Sequence, residues 1–94
     1  MAQATILAAG QTAATSSDLV LAAGASATVG IFATGRIPSG VELSVFLDTP
    51  GDDQFIARLT EQDSATSIMG PGTYRVKRPD VSAYGLGVGA FTET

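Results

Sequence analysis

Hydrophobic and polar residues alternate with a period of two along much of the chain, most clearly between Val41 and Asp48. In that segment every odd-numbered position carries valine or leucine, and the even-numbered positions are mostly polar. Successive side chains of a β-strand point to opposite faces, so this pattern predicts a strand with one buried face. The same reasoning predicts six further strands, over residues 18–21, 26–32, 54–60, 66–69, 73–78 and 83–91.

Glycine and proline residues separate these segments. Gly24, the pair Pro50-Gly51 and the tripeptide Gly70–Gly72 fall between consecutive predicted strands, where turns are expected. Short strands with turn signals roughly every 8–12 residues are typical of β-sandwiches and small barrels. The sequence therefore predicts an all-β fold, either a small antiparallel β-sandwich or a partly closed barrel of about seven strands.

The inward positions of the predicted strands define a candidate core. They share one phase of the alternation and are Leu19, Leu21, Val29, Ile31, Leu43, Val45, Leu47, Phe55, Leu59, Tyr74, Val76, Leu86 and Val88. In the last predicted strand, glycines at positions 85, 87 and 89 occupy the opposite face, which indicates a bend or a close approach of another backbone. A chain of 94 residues is long enough for one such core, so a single domain is expected.

The first 15 residues are mostly Ala, Gln, Thr and Gly, and Ile6 and Leu7 are the large aliphatic side chains that follow Met1. We predict a flexible N-terminal arm over residues 1–15, or a poorly fixed first strand, followed by a single β domain over residues 16–94. Ordering the backbone costs about 1–2 kcal/mol per residue, which so few apolar residues are not expected to offset. The arm is therefore expected to lack a fixed place in the isolated monomer and to order against a neighbouring subunit or a capsid.

Three large apolar residues fall on the outward phase of their predicted strands: Phe32, Phe46 and Ile56. If residues 41–48 and 54–60 form a hairpin, Phe46 and Ile56 lie on the same side of one sheet. Phe32 is a candidate extension of that patch. One interpretation is that loops or the N-terminal arm cover these residues in part. The functional interpretation is a docking patch for a partner chain, because clustered exposed apolar residues mark interaction sites.

Composition and charge narrow the classes of function. Charged residues make up 15% of the chain, below the usual quarter, which favours a surface that a partner covers in part. The formal charge is −4, and among the five basic residues only Arg75, Lys77 and Arg78 cluster. Binding to a phosphate backbone needs several positioned cations, so nucleic-acid binding is not expected.

The chain lacks the residues of most catalytic sites. It contains no histidine and no cysteine, which excludes Ser–His and Cys–His catalysis and zinc sites built from thiolate or imidazole. Lys77, the single lysine, is interpreted as a solvated residue on a strand. Gly85–Gly89 differs from a phosphate-binding loop because no helix follows it. We therefore expect no enzyme activity and no cofactor.

Asp48, Asp52 and Asp53 fall close together in the chain and raise the question of a metal ion. Carboxylate oxygens are the ligands that calcium prefers, but this spacing does not match an EF-hand loop. Aspartate is also common at turns, where its side chain bonds to the local backbone. Turn formation is the favoured interpretation and calcium binding stays an open alternative, so no metal site is assigned.

No segment predicts export or insertion into a membrane. The N-terminus has no basic region followed by an apolar stretch, as a signal peptide would. The apolar runs are far shorter than the roughly 20 residues that span a bilayer. The protein is therefore expected to be made in a cytoplasm, to stay soluble and to leave the cell only as part of a larger particle.

Two stretches of the chain resemble a known class of proteins. They are Leu-Ala-Ala-Gly-Ala-Ser-Ala-Thr-Val-Gly-Ile-Phe at residues 21–32 and Gly-Pro-Gly-Thr-Tyr-Arg-Val-Lys-Arg-Pro at residues 70–79. Both are similar to segments of small virion proteins of tailed bacteriophages, some of which are capsid decoration (cement) proteins. The resemblance covers roughly residues 18–88 and carries no functional residues with it.

The resemblance implies a non-enzymatic structural protein that binds the outside of an assembled bacteriophage capsid and stabilises it. Such a protein would be located in the virion, at the capsid surface, as a homo-oligomer. Its partners would be the major capsid protein or other virion subunits. The alternative is a tail, fibre or receptor-binding β module of a virion or cell surface. A protein that binds only the assembled lattice shifts the assembly equilibrium towards that lattice.

Overall fold

Two antiparallel β-sheets pack face to face in the computed structural model, which describes residues 3–93. In chain order the strands are β1 (Gln3–Gly10), β2 (Ala14–Thr15), β3 (Leu19–Leu21), β4 (Ser26–Ala33), β5 (Leu43–Leu47), β6 (Gln54–Leu59), β7 (Ala65–Met69), β8 (Gly72–Arg78) and β9 (Val88–Glu93). The prediction of a small all-β antiparallel sandwich is confirmed, and the sheets do not close into a barrel. No helix between residues 3 and 93 is long and apolar enough to cross a membrane.

The first sheet has four strands in the order β1-β9-β4-β7. Its central strand β4 pairs antiparallel with β9 on one side and with β7 on the other. The second sheet contains the remaining five strands. Strands β8 and β5 form its centre, β6 pairs with β5 at one edge, and the short strands β2 and β3 both pair with β8 at the other edge.

The core lies between the sheets, where the predicted alternation placed most of it. Five of the predicted core residues have no exposed surface: Val29, Leu43, Val45, Leu59 and Val88. Four more are buried, namely Leu21, Ile31, Tyr74 and Val76, and three are half-buried against the same cluster, namely Leu19, Leu47 and Leu86. Both sheets contribute to this one cluster, so burial of apolar surface holds them together.

The N-terminal segment differs from the predicted unfixed arm, because residues 3–10 form a paired strand. Strand β1 pairs antiparallel with β9 from Gln3 to Gly10, with register shifts on either side of Leu7. Leu7 is buried in the core, with 8% of its surface exposed. Backbone hydrogen bonds to β9 and the burial of Leu7 supply stabilisation that the apolar content of the segment alone did not indicate. Met1 and Ala2, where the predicted arm begins, lie outside the described residues.

The last strand begins later than predicted. Residues Ser82–Tyr84 form one turn of 3-10 helix, and Gly85 ends it with a φ of +77°, which residues with a side chain rarely adopt. From Val88 onward the strand forms as expected. Gly89 marks a close approach, because a Cβ atom there would lie 2.5 Å from the carbonyl oxygen of Leu7.

Candidate interaction face

A β-bulge in the β5–β6 hairpin changes which residues of β6 face outward. Val45 pairs with Ala57, but the next residue, Phe46, pairs with Phe55, so Ile56 is left without a partner on β5. This extra residue reverses the alternation, and Phe55 faces outward beside Phe46. Phe55 is 51% exposed, so the prediction that it belongs to the core is wrong.

Phe46 and Phe55 form an aromatic pair on the outer face of the second sheet. Their ring centroids are 5.9 Å apart and their planes meet at 77°, which is the edge-to-face arrangement that aromatic rings prefer. Ile56, at the bulge, is 44% exposed. The structure therefore places Phe46 and Ile56 on adjacent strands, and the residue packed against Phe46 is Phe55. We call Phe46, Phe55 and Ile56 the outer apolar patch.

Two cations lie over the rings of this patch. The Nζ atom of Lys77 is 4.4 Å from the ring centroid of Phe46, and the guanidinium carbon of Arg58 is 5.5 Å from that of Phe55. The strand register aligns these residues in two rows of directly opposite positions that cross β6, β5 and β8. The first row is Phe55, Phe46 and Arg75, and the second is Arg58, Ser44 and Lys77. An exposed contact of this kind contributes about 0.5–1 kcal/mol. The predicted solvated lysine is thus packed, in part, on an aromatic ring.

Arg75 is surrounded by carboxylates on the same face. Its Nε atom donates a 2.7 Å hydrogen bond to Asp18, and its terminal nitrogens lie 3.2 Å from Asp53 and 3.5 Å from Asp48. The hydrogen bond to Asp18, with the charges of all three carboxylates, holds the pKa of Arg75 above its usual value. Arg75 thereby links β3 and the β5–β6 turn to β8.

The acidic turn between β5 and β6 already has cationic partners in the protein. Asp48 and Asp53 contact Arg75, and the Nζ atom of Lys77 lies 3.5 Å from Asp53. The side chain of Thr49 donates a 2.6 Å hydrogen bond to the carbonyl oxygen of Asp52, which closes the turn. These contacts favour turn formation over calcium binding. Among residues 3–93, no cluster of three or more His, Cys, Asp or Glu side chains is arranged to hold a metal ion.

A shallow groove of about 480 Å³ adjoins the outer apolar patch at Phe46. Arg58 and Lys77 also line it, together with Pro79 and Tyr84 from the segment that follows β8. The outer face of the second sheet therefore carries an aromatic pair with a hollow beside it.

Phe32 lies on the other sheet and does not extend the outer apolar patch. Its strand β4 belongs to the first sheet, and its ring centroid is 6.3 Å from that of Phe91 on β9. The ring of Phe32 covers Gly89, and the ring of Phe91 covers Gly30. A Cβ atom at either glycine would lie 2.7 Å from the ring that covers it. The two apolar faces are on opposite sides of the sandwich.

Arg78 is separated from Arg75 and Lys77, although the sequence grouped the three residues. It is only 6% exposed, and its guanidinium donates hydrogen bonds to backbone carbonyl oxygens, 2.7 Å to Thr12 and 2.6 Å to Val88. The sequence did contain a signal for this position. Residue 78 has the same parity as the inward residues 74 and 76, so the alternation points its side chain towards the core.

Comparisons with protein-family models, with curated proteins and with solved structures found no match. The resemblance to bacteriophage virion proteins therefore rests on the two sequence stretches alone. One of them, residues 70–79, contains β8, which supplies Arg75 and Lys77 to the outer face of the second sheet.

Proposed function

We propose that the chain is a non-enzymatic structural protein that docks onto an assembled protein lattice, as a decoration protein on the outside of a bacteriophage capsid. The observation that carries the docking is the Phe46–Phe55 pair, with Ile56 exposed beside it. Aromatic residues and arginine are enriched where protein interfaces bind most strongly. The resemblance of residues 21–32 and 70–79 supports the choice of a virion as the place of assembly.

Burial of the outer apolar patch supplies the energy of docking. An aromatic side chain buries about 150–250 Å² when it is fully covered, and each Å² of apolar surface contributes about 25 cal/mol. Phe46 and Phe55 are already fixed against each other, so little side-chain freedom is lost on binding. A lattice repeats the same docking site many times, and occupation of those sites stabilises the lattice by mass action.

The partner surface is expected to combine an apolar hollow with acidic groups at its border. Arg58, Arg75 and Lys77 are three of the five basic residues of a chain whose formal charge is −4, and all three lie on this face. Arg58 pairs with Glu42 and Lys77 pairs with Asp53, but both cationic side chains still expose a large part of their surface to solvent beside the rings. Cations at the border of an apolar patch orient the encounter with an acidic surface and affect its rate and salt dependence.

Co-sedimentation with virus particles tests this proposal. The purified protein is mixed with intact heads, and separately with isolated tails, of a bacteriophage that encodes the chain. We expect saturable binding to heads and a higher temperature of head disruption when the sites are filled. Binding to tails alone would contradict the capsid proposal and favour a tail or fibre module. Binding to neither particle would contradict both.

A further inference from the structure

The side chain of Lys77 covers part of one of the two rings in the outer apolar patch. In the register of the sheet, Lys77 lies opposite Ser44, two residues away from Phe46. Its Nζ atom is nevertheless 4.4 Å from the ring centroid of Phe46 and 3.5 Å from the carboxylate of Asp53. The lysine side chain therefore leaves its own row and ends between the ring and the β5–β6 turn. Phe46 is accordingly half-buried, whereas 51% of the surface of Phe55 is exposed.

The two cations that contact Asp53 are held with unequal strength. Arg75 donates to both carboxylate oxygens of Asp53 at 3.2 Å and makes a further 2.7 Å hydrogen bond to Asp18. Among residues 3–93, Lys77 has one carboxylate contact, which is longer, and 43% of its side chain is exposed. Exposed ion pairs and exposed cation–π contacts are both weak, and a released lysine regains rotamer freedom. Asp53 stays paired with Arg75 when Lys77 moves away, so no carboxylate is left without a cation.

We propose that Lys77 is a displaceable cover of Phe46. Asp53 holds the ammonium group over the ring in the free protein, and a carboxylate of the docking partner takes that group when the protein docks. The inference rests on the proposed function, because the partner is the lattice protein that the outer apolar patch binds. It adds that this partner places a carboxylate beside the apolar surface that receives Phe46.

A carboxylate is the partner group that drives this exchange. A partner shifts an equilibrium between two arrangements only if it binds one of them better. Docking onto the covered ring would bury the ammonium group, and removing a charge from water is costly unless a counter-charge lies close. A partner carboxylate supplies that counter-charge away from the ring, and an apolar group of the partner then contacts the uncovered face of Phe46. A partner without an acidic group meets a covered ring, so Lys77 contributes to the choice of partner.

NMR of the free protein tests whether Asp53 holds Lys77 over the ring. Lys77 is the single lysine of the chain, so its side-chain resonances are readily assigned. Protons above an aromatic ring are shifted upfield, and we expect this shift for the ε-methylene protons of Lys77. Asp53→Asn should remove most of it. Asp48→Asn is the matched control, because it removes the same charge beside Arg75, whereas Asp53 is the one carboxylate among residues 3–93 within 4.0 Å of the Lys77 ammonium group.

Co-sedimentation with heads tests the exchange. D53N is expected to bind heads at least about threefold more tightly than D48N, because both variants lose one negative charge but D53N also releases Lys77. K77Q is expected to bind at least about threefold more weakly than the wild-type protein, because the partner carboxylate loses its cation. In the K77Q background, D53N and D48N should bind within about twofold of each other, since no ammonium group is left to release.

Unshifted Lys77 protons in the wild-type protein, or an equal loss of the shift in D53N and D48N, overturn the inference. Equal head binding by D53N and D48N overturns it as well, and so does tighter binding by K77Q, because Lys77 would then only obstruct the partner. Circular dichroism verifies that each variant is folded. The NMR comparison needs no partner, so the two ideas fail separately. Head binding without the upfield shift contradicts only the displaceable cover, whereas a shifted Lys77 in a protein that does not bind heads contradicts the proposed function.

Discussion

The guanidinium of Arg78 donates a 2.6 Å hydrogen bond to the carbonyl oxygen of Val88, and this bond joins the two sheets of the sandwich. Arg78 ends β8 in the second sheet, and Val88 begins β9 in the first. The same guanidinium donates to the carbonyl oxygens of Ala8 in β1 and Thr12 in the loop that follows. One buried cation therefore fixes the N-terminal strand against elements of both sheets.

Replacing Arg78 with methionine is expected to lower the free energy of unfolding by about 2–4 kcal/mol. Methionine keeps an apolar stem of similar width but leaves three carbonyl oxygens without their donor. Urea denaturation measures the change, and R36M, at an exposed arginine, is the control that should stay within about 0.5 kcal/mol of wild type. A loss for R78M no larger than for R36M would show that water replaces the guanidinium at no cost.

Amide hydrogen exchange is expected to show protection of β1 in the wild-type monomer. The reason is the pairing of β1 with β9 together with the hydrogen bond from Arg78 to Ala8. In R78M the amides of β1 should exchange faster than those of β5, because local opening needs less energy where fewer contacts hold a strand. Equal loss of protection in both strands would mean that β1 opens only when the whole protein unfolds.

The hairpin offers a direct test of the observed register. Val45→Ala is expected to cost roughly 2–4 kcal/mol, because Val45 is fully buried and its truncation leaves a cavity. Phe55→Ala, at a position that the simple alternation assigned to the same core, is expected to cost less than about 1 kcal/mol, because Phe55 is more than half exposed. Chemical denaturation distinguishes the two, and the opposite ranking would contradict the bulge.

Strands β5 and β6 show how far local alternation predicts this fold. In β5 nothing interrupts the period of two, and the inward residues Leu43 and Val45 are fully buried as predicted. In β6 the unpaired residue Ile56 reverses the phase of Phe55. No glycine or proline in β6 marks the bulge, so only the pairing with β5 reveals it.

Long-range pairing also determined two further features that the sequence did not predict. Phe32 has the outward phase that was expected, but the sheet that its strand joins depends on topology, and that sheet is the one opposite Phe46. The segment Gln3–Gly10 becomes a strand because β9 is available to pair with it. Local composition contains neither piece of information.

The carboxylate of Asp80, which follows β8, makes the stability of the folded protein depend slightly on pH in the acid range. The Asp80 carboxylate accepts a 2.9 Å hydrogen bond from the backbone N–H of Ser82. Hydrogen bonds from the side chain and then the backbone of Ser82 hold the pKa of Asp80 below its usual 3.8. A carboxyl group with a lower pKa in the folded state stabilises the protein above the unfolded value, and this contribution is lost as the pH falls through the folded value.

Ser82→Ala removes the larger of these two causes, so the pKa of Asp80 is expected to rise towards 3.8. The acid-dependent loss of stability below about pH 4 should become correspondingly smaller. Carboxyl-carbon NMR titration measures the pKa, and Ser67→Ala, on the distant strand β7, is the control. An Asp80 pKa that does not move in S82A would mean that the backbone bond alone sets it.

Phe46→Ser is expected to weaken head binding while leaving the isolated fold largely intact. Phe46 faces away from the core, between Phe55 and Lys77, so its truncation should cost less than about 1 kcal/mol of folding stability. If Phe46 anchors the outer apolar patch, binding to heads should weaken by at least about 1–2 kcal/mol, which is roughly tenfold in the dissociation constant.

Met69→Ser is the matched control, because it removes an exposed apolar side chain on the first sheet. Co-sedimentation with heads, normalised to the folded fraction, measures the effect. If F46S instead unfolds the monomer and leaves binding per folded molecule unchanged, Phe46 belongs to a second packed layer and the docking proposal fails.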